Sequence, residues 1–391
     1  MELTGSQSPN QRSATYSTSN GWSYSWQNIV NYNVTLADVH DVTLTGVIEY
    51  GKSKGESSSM WNEQFDFDEY LYYNFTGGDN KETTTAYTEQ TKMSYAVRGS
   101  YSLLGRYLLS ASIRWDGSSV LDKDPRWHSF PAVSAGWRVS DEPFMQGTKK
   151  WLDNLKLRVG YGVTGNSTIA PYTSLQRVEP SATHITLGDK DVTPFKLTEY
   201  VTNPLLSWEK SYNWNFGLDF AFLGGRIDGS LEYYTTDTKG IIYSRPLPTA
   251  YGVYNAKTTY KKNSNIARIN NKGVELTINS RNIVNRNFTW TTTFTFARNV
   301  EKLKEINLGN DVTVDNLVAL GLFLDNPVHT FYGYRKLGIW QQDEEEQAKC
   351  FGNEVGTVKV EVPRLVWDAG YVYETHDDDG NVTGQYTGAE R

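Results

Sequence analysis

Along most of this chain apolar and polar side chains alternate, and between Arg106 and Gly165 the alternation marks three successive strands. In the first, Tyr107, Leu109, Ala111, Ile113 and Trp115 fall on one face, and Leu108, Ser110, Ser112, Arg114 and Asp116 on the other. In the third, Leu155, Leu157, Val159, Tyr161 and Val163 oppose Lys156, Arg158, Gly160, Gly162 and Thr164. Side chains alternate across a strand, so each of these has one apolar face and one polar, partly charged face. Such strands line either a soluble sandwich or a membrane barrel.

The same pattern predicts strands at 23–34, 41–54, 86–103, 128–139, 207–222, 226–243, 267–282 and 288–300, with a last one at 330–341. The first twenty residues, rich in Ser, Asn, Gln and Thr, read as a loop or part of a strand. The pattern is cleanest at 207–222, where Tyr212, Trp214, Phe216, Leu218, Phe220 and Phe222 face one way. Tight turns are expected at Leu104-Gly105-Arg106, Leu223-Gly224-Gly225 and Val284-Asn285-Arg286, and long loops at 55–85, 166–205, 244–266 and 301–329. A meander in which every second connection is long puts the tight turns at one end and the long loops at the other. That is the layout of an outer-membrane barrel, with periplasmic turns and extracellular loops. A soluble sandwich has no reason to sort its loops. Several strands also run past the mode of about 5–6 residues in globular proteins, toward the roughly 9–11 that a tilted membrane strand needs.

Composition adds to this. Aromatic residues make up 14%, with 26 Tyr and 12 Trp, as suits strands and the belts where membrane meets water. A sugar-binding soluble β protein would share that count. The net charge of −7 and pI near 5.4 lack the footprint of a nucleic-acid binder. Cys350 is the only cysteine, so no intrachain disulfide forms and no thiolate cluster holds a metal. Met1–Gly5 does not resemble a signal peptide. The longest apolar run, Leu317 to Leu324, is far short of the roughly 20 residues of a membrane helix.

Chemical motifs are weak. Gly160-Tyr161-Gly162-Val163-Thr164-Gly165 spells G-x-G-x-x-G, but a dinucleotide site needs it to open a helix. Here the residues that follow reach Pro171 without a helical period. Asp377, Asp379 and Gly380 form only a fragment of a calcium loop, better explained as a solvated acidic turn. The five histidines are scattered, and no G-x-S-x-G elbow exists. Asp343–Glu346 is expected to be the charged face of a short helix. The chain therefore offers no catalytic, metal-ligating or cofactor-binding set, and is not read as an enzyme.

Three segments carry a resemblance. Arg106–Ser119 (RYLLSASIRWDGSS) looks like the "RYLLTASLRRDGSSRF" signature of SusC/RagA-type TonB-linked outer-membrane transporters. Phe130–Ser140 (FPAVSAGWRVS) is similar to that family's "FPSVSLGWRISEE", and Leu155–Asn166 (LKLRVGYGVTGN) to its "LKLRASYGVTGN". Gly217-Leu218-Asp219-Phe220 and Asn271-Lys272-Gly273-Val274-Glu275 continue it, so the similarity covers most of residues 20–340.

The resemblance implies an all-β fold, an antiparallel transmembrane barrel of 22 strands with a plug in its lumen. It also implies a Ton box coupling to the TonB complex, a SusD-like surface lipoprotein over the extracellular mouth, and import of oligosaccharides or peptides across the Gram-negative outer membrane. Residues 1–391 are then expected to be a partial barrel domain of about eleven strands, an internal fragment in which the plug and final strands are absent. Its partners would be outer-membrane lipid, the lipoprotein, TonB through that missing part, and the cargo; no nucleic acid and no cofactor are expected. Arg98, Arg114, Arg158, Asp219, Asp228, Glu232 and Glu275 share the polar face and would line the lumen against the plug. The aromatics Trp61, Tyr70, Tyr72 and Tyr73, expected in the 55–85 loop, would contact substrate. The rival reading is a soluble or secreted β-rich carbohydrate-binding protein using the same aromatics as stacking platforms.

Overall fold

The computed structural model describes residues 3–4, 13–65, 77, 80–180, 185–188, 190–192, 195–247, 260–307, 321–330, 335–350, 352–361, 372–376 and 382–387. Two compact units make up the chain, residues 1–300 and 301–391. The first is dominated by one antiparallel sheet. Its long strands are β1 (Ser13–Leu36), β2 (His40–Glu63), β3 (Asn80–Leu103), β4 (Tyr107–Ser118), β5 (Trp127–Arg138), β6 (Leu152–Asn166), β7 (Glu209–Phe222), β8 (Ile227–Pro246), β9 (Lys261–Val284) and β10 (Thr289–Ile306). With the two-residue strand Leu3–Thr4 beside β1, the sheet has eleven members, and their order in space is their order in the chain. Leu3–Thr4 and β10 are its two edges.

Connections alternate as the pattern predicted. The tight turns after β1, β3, β7 and β9 stand at one end with the medium connection 139–151 after β5, and the connections after β2, β4, β6 and β8 stand at the other. After β3, Leu104 and Gly105 take φ of 54° and 65°, the left-handed pair that matches a hairpin turn to strand twist.

Strands overrun their hydrophobic alternation, and this corrects two expectations. The stretch 55–85 is not all loop: β2 continues to Glu63 and β3 starts at Asn80. Likewise the 244–266 loop shrinks, because β8 reaches Pro246 and β9 starts at Lys261. The reason lies on the outer face. On β2 it is Val42, Leu44, Gly46, Ile48 and Tyr50, and then Lys52 and Lys54; on β8 it is Ile227, Gly229, Leu231, Tyr233 and Thr235, and then Asp237 and Lys239. Each apolar stretch spans about nine residues, the number that crosses a membrane in a tilted strand. Beyond it a collar of ion pairs takes over: Lys52–Glu89 at 2.8 Å, Lys54–Glu56 at 2.6 Å and Arg268–Asp237 at 2.8 Å. Both faces are polar there, so the period-two signal fades while the backbone ladder continues.

Within the apolar band the side chains lie uncovered. Trp26, Val30, Tyr32, Leu44, Val97, Leu109, Val133, Trp214, Phe216 and Phe296 are all exposed. The compact core of this unit sits at the long-loop end instead. There Val120, Leu121, Phe130, Val163, Leu206 and Trp208 form a buried cluster, and the Trp208 indole donates to the Arg126 carbonyl at 3.1 Å.

At the opposite end, the connection between β5 and β6 folds into short 3-10 turns at Val139–Asp141 and Pro143–Thr148. Glu142 between them is only 6% exposed. Its carboxylate accepts the Trp137 indole N–H at 3.0 Å and lies 3.5 Å from the Arg106 guanidinium. Hydrogen bonds from the Tyr107 hydroxyl and the Trp137 indole, helped by Arg106, hold it below the usual glutamate range. A depressed carboxyl contributes its stabilisation in full above the ordinary value of about 4.3 and loses it as pH falls through the lowered one. Glu142→Gln should therefore flatten the loss of stability between neutral pH and about pH 3. Urea midpoints for the two proteins across that range check this, and parallel curves would remove Glu142 from the account.

In the second unit, the strand expected at 330–341 is shorter, Arg335–Ile339. It pairs with Val358–Glu361 in a separate two-stranded sheet and not with the large one. Its central ring, Trp340, is buried, with the Lys359 ammonium 4.4 Å above it and 2.5 Å from Glu344. The acidic run 343–346 enters a 3-10 turn and a short helix, Glu345–Cys350, behind a capping box from Gln341 to Glu344. No helix among the described residues is long and apolar enough to cross a membrane. Asp377–Gly380 lies outside the described residues.

Candidate functional site

Register brings the seven selected charges to one face. Across β6, β7, β8 and β9, Arg158, Gly217, Glu232 and Glu275 stand in one row, and Lys156, Asp219 and Ser230 in the next. Arg158 donates to Asp219 in a fork, Nε to Oδ2 at 2.9 Å and Nη2 to Oδ1 at 2.8 Å, and Nη2 also reaches Glu232 at 2.8 Å. Asn215 adds a longer hydrogen bond to the second oxygen of Glu232, at 3.3 Å. The guanidinium crosses Gly217 so closely that a Cβ there would stand 2.8 Å from its carbon. A planar cation that bridges three strands needs a residue without a side chain beneath it.

A second network repeats the arrangement on β2, β3 and β4. Arg114 pairs with Glu49 at 3.0 Å and with Asp116 at 2.7 Å, and the small Ser94 occupies the register position between the two acids. Between the networks lies a depression of about 430 Å³ lined by Arg98, Ser110, Ser134, Lys156, Arg158 and Asn215. Arg98 donates to Ser110 at 3.2 Å. Asp228 sits further toward the tight turns and accepts from Asn279, itself tied to Thr293. Glu275 shares the face and is exposed. Thus the structure joins Arg158, Asp219 and Glu232 directly, leaves Arg98, Arg114 and Asp228 in separate contacts, and places Glu275 on the same face by register.

Glu49, Asp116 and Asn215 complete these networks and Lys156 lines the depression between them, and none of the four was among the charges expected to line the lumen. Their parity in the alternation was the available signal. Trp61 is not in a loop: it is half-buried within β2, opposite Thr15 and Glu82. Tyr70, Tyr72 and Tyr73 lie outside the described residues. Gly160–Gly165 lies wholly inside β6, with no helix to receive a pyrophosphate. Among the described residues no group of three or more His, Cys, Asp or Glu is arranged to hold a metal. Guanidinium and carboxylate groups so paired tie neighbouring strands together through charge-assisted hydrogen bonds.

Residues 2–389 match the family described as "TonB dependent receptor-like, beta-barrel". The chain is 32% identical over 325 residues to TonB-dependent receptor P3 of Formosa agariphila, covering 81% of this chain and 31% of that one. It is 34% identical over 283 residues to TonB-dependent receptor SusC of Bacteroides thetaiotaomicron, covering 70% of this chain and 27% of that one. It thus spans less than a third of either relative. Its fold resembles the RagAB peptide importer in the closed-closed state, with a TM-score of 0.72 at 21% identity, over 96% of this chain and 38% of that one. A two-faced antiparallel sheet with sorted turns, matched almost end to end, leaves one conclusion: the chain belongs to the TonB-dependent receptor-like β-barrel family of the Gram-negative outer membrane.

Proposed function

We propose that this chain is the barrel segment of an active importer that carries oligosaccharides or peptides across the outer membrane. It is energised through TonB and works beneath a SusD-like surface lipoprotein. The observation that carries the reading is the two-sidedness of the sheet. One face bears an uncovered apolar band of membrane height, and the other bears the Arg114 and Arg158 networks. In a closed barrel the first face meets lipid and the second the interior, so the seven charges line the lumen against the plug. The long connections after β2, β6, β8 and β10 then face outward, where cargo and lipoprotein arrive, with Trp61 near the first of them. One structural neighbour is titled a peptide importer, which supports the peptide class of cargo. A soluble sugar binder would leave an apolar surface facing water far beyond the few hundred Å² that soluble monomers tolerate.

The test is uptake. Deleting the gene should abolish cellular accumulation of labelled oligosaccharides or of labelled peptides, and a protonophore should do the same to the parent strain. Accumulation of both cargoes untouched by either treatment would sink the importer reading.

A further inference from the structure

A second cavity stands at the long-loop end, away from the charged face of the sheet. It holds about 430 Å³ between the 168–177 segment, residues 198–200 and the upper parts of β8 and β9. Tyr172, Arg177, Thr198, Tyr200, Ser244 and Asn263 line it. We propose that this cavity is a subsite for an acidic sugar, one carboxylate-bearing pyranose unit of an oligosaccharide cargo. The proposal rests on the importer reading and narrows its substrate class.

Arg177 is the sole charged residue among those lining the cavity, and no carboxylate lines it. Its guanidinium lies 5.9 Å from the Tyr172 ring centre, and it makes no ion pair among the described residues. A cation held over a ring face, with no counter-charge among the described residues, suits an incoming anion. Tyr172 and Tyr200 supply flat faces for the C–H side of a pyranose, while the Thr198 and Ser244 hydroxyls and the Asn263 amide suit its hydroxyl rim.

The site is built before any ligand arrives. Tyr172 takes a φ of 68°, a left-handed conformation that is rare for a bulky residue and is held only where the surroundings enforce it. Those surroundings are visible. Ile169 and Ile242 line the cavity and also pack against the buried cluster around Trp208. Thr202 donates to the Ser174 carbonyl at 2.5 Å, and Asn203 to the Asn263 carbonyl at 2.7 Å. A peptide is the weaker candidate because it binds best along a free strand edge. Here the Arg177 carbonyl already accepts the Thr198 N–H at 3.2 Å, and Glu199 and Val201 exchange backbone bonds with Lys261.

Calorimetry on the purified full-length receptor in detergent tests this with three probes: a short oligogalacturonate, its fully methyl-esterified form, and an oligoglutamate. The oligogalacturonate should bind most tightly, and its ester, with the same rings but no charge, at least about tenfold more weakly. Arg177→Gln should weaken the oligogalacturonate by about the same factor and leave the ester unchanged. Tyr172→Gly, which keeps the unusual backbone and removes the ring, should weaken both. Arg286→Gln, in the turn after β9 at the other end of the strands, removes one positive charge and should change nothing. Tighter binding of oligoglutamate with the same dependence on Arg177 would make this an acidic-peptide site and overturn the proposal. So would oligogalacturonate binding that is absent or indifferent to Arg177→Gln. None of these measurements needs an energised membrane, so their failure is separable from a failure of the uptake experiment.

Discussion

Replacing Phe216 by arginine should cost the folded barrel about 2–4 kcal/mol, the penalty for a cation at the membrane midplane of an outer-membrane barrel. Phe216 is 46% exposed and stands in register with Val159 and Tyr233, its ring stacked beside Trp214 at 6.1 Å. On β7 the outward series runs from Phe222 at the tight turn to Tyr212, where Lys239 stands 5.2 Å from the ring. Phe216 occupies the middle of that series. Tyr212→Arg, at the edge of the band, should cost only about 0–1 kcal/mol. Urea unfolding of the full-length protein in lipid vesicles compares the two. Equal costs would mean that depth in the band has no bearing and that the apolar face does not meet lipid.

Arg158→Met should cost about 1–3 kcal/mol, because it leaves Asp219 and Glu232 facing each other without their cation. The three side chains are 31%, 27% and 29% exposed, so water screens part of the loss and keeps it below that of a fully buried pair. Removing the two charges as well, in Arg158→Met/Asp219→Asn/Glu232→Gln, should recover a large part of it. The same vesicle unfolding reads both variants. A triple variant no more stable than the single one would show that packing of the arginine stem over Gly217, and not charge pairing, ties β6 to β8.

The hairpins and the polar face were legible in the sequence because one physical fact, a side chain pointing alternately to lipid and to interior, writes itself as a period of two. Trp214, Phe216 and Leu218 on β7 carry it plainly. The upper halves of β2 and β3 were not legible for the complementary reason: Ser53 to Ser59 meets water on both sides, and a hydrogen-bond ladder leaves no mark on residue type. Loop aromatics chosen by composition gave Trp61, which belongs to a strand. The cavity that Tyr172, Arg177 and Tyr200 line was missed because its walls come from segments far apart in sequence, joined by the packing of Ile169 and Ile242. The short helix at Glu345–Cys350, by contrast, announced itself through the local acids of the 343–346 run.

Every long strand of the sheet lies beside its predecessor in the chain. Such a sheet solves its assembly problem one step at a time. Each new strand finds its template in the one just laid down, the loop that must close is the short turn or the one connection between them, and no distant segment has to be located first. The growing edge is at every stage a row of unpaired amides and carbonyls that only the next strand, or the machinery that delivers it, satisfies. The largest single search falls between β6 and β7, whose connection runs from Ser167 to Trp208. The buried cluster takes Leu206 and Trp208 from the end of that connection, so the packing that closes the longest gap forms right beside the strand it delivers.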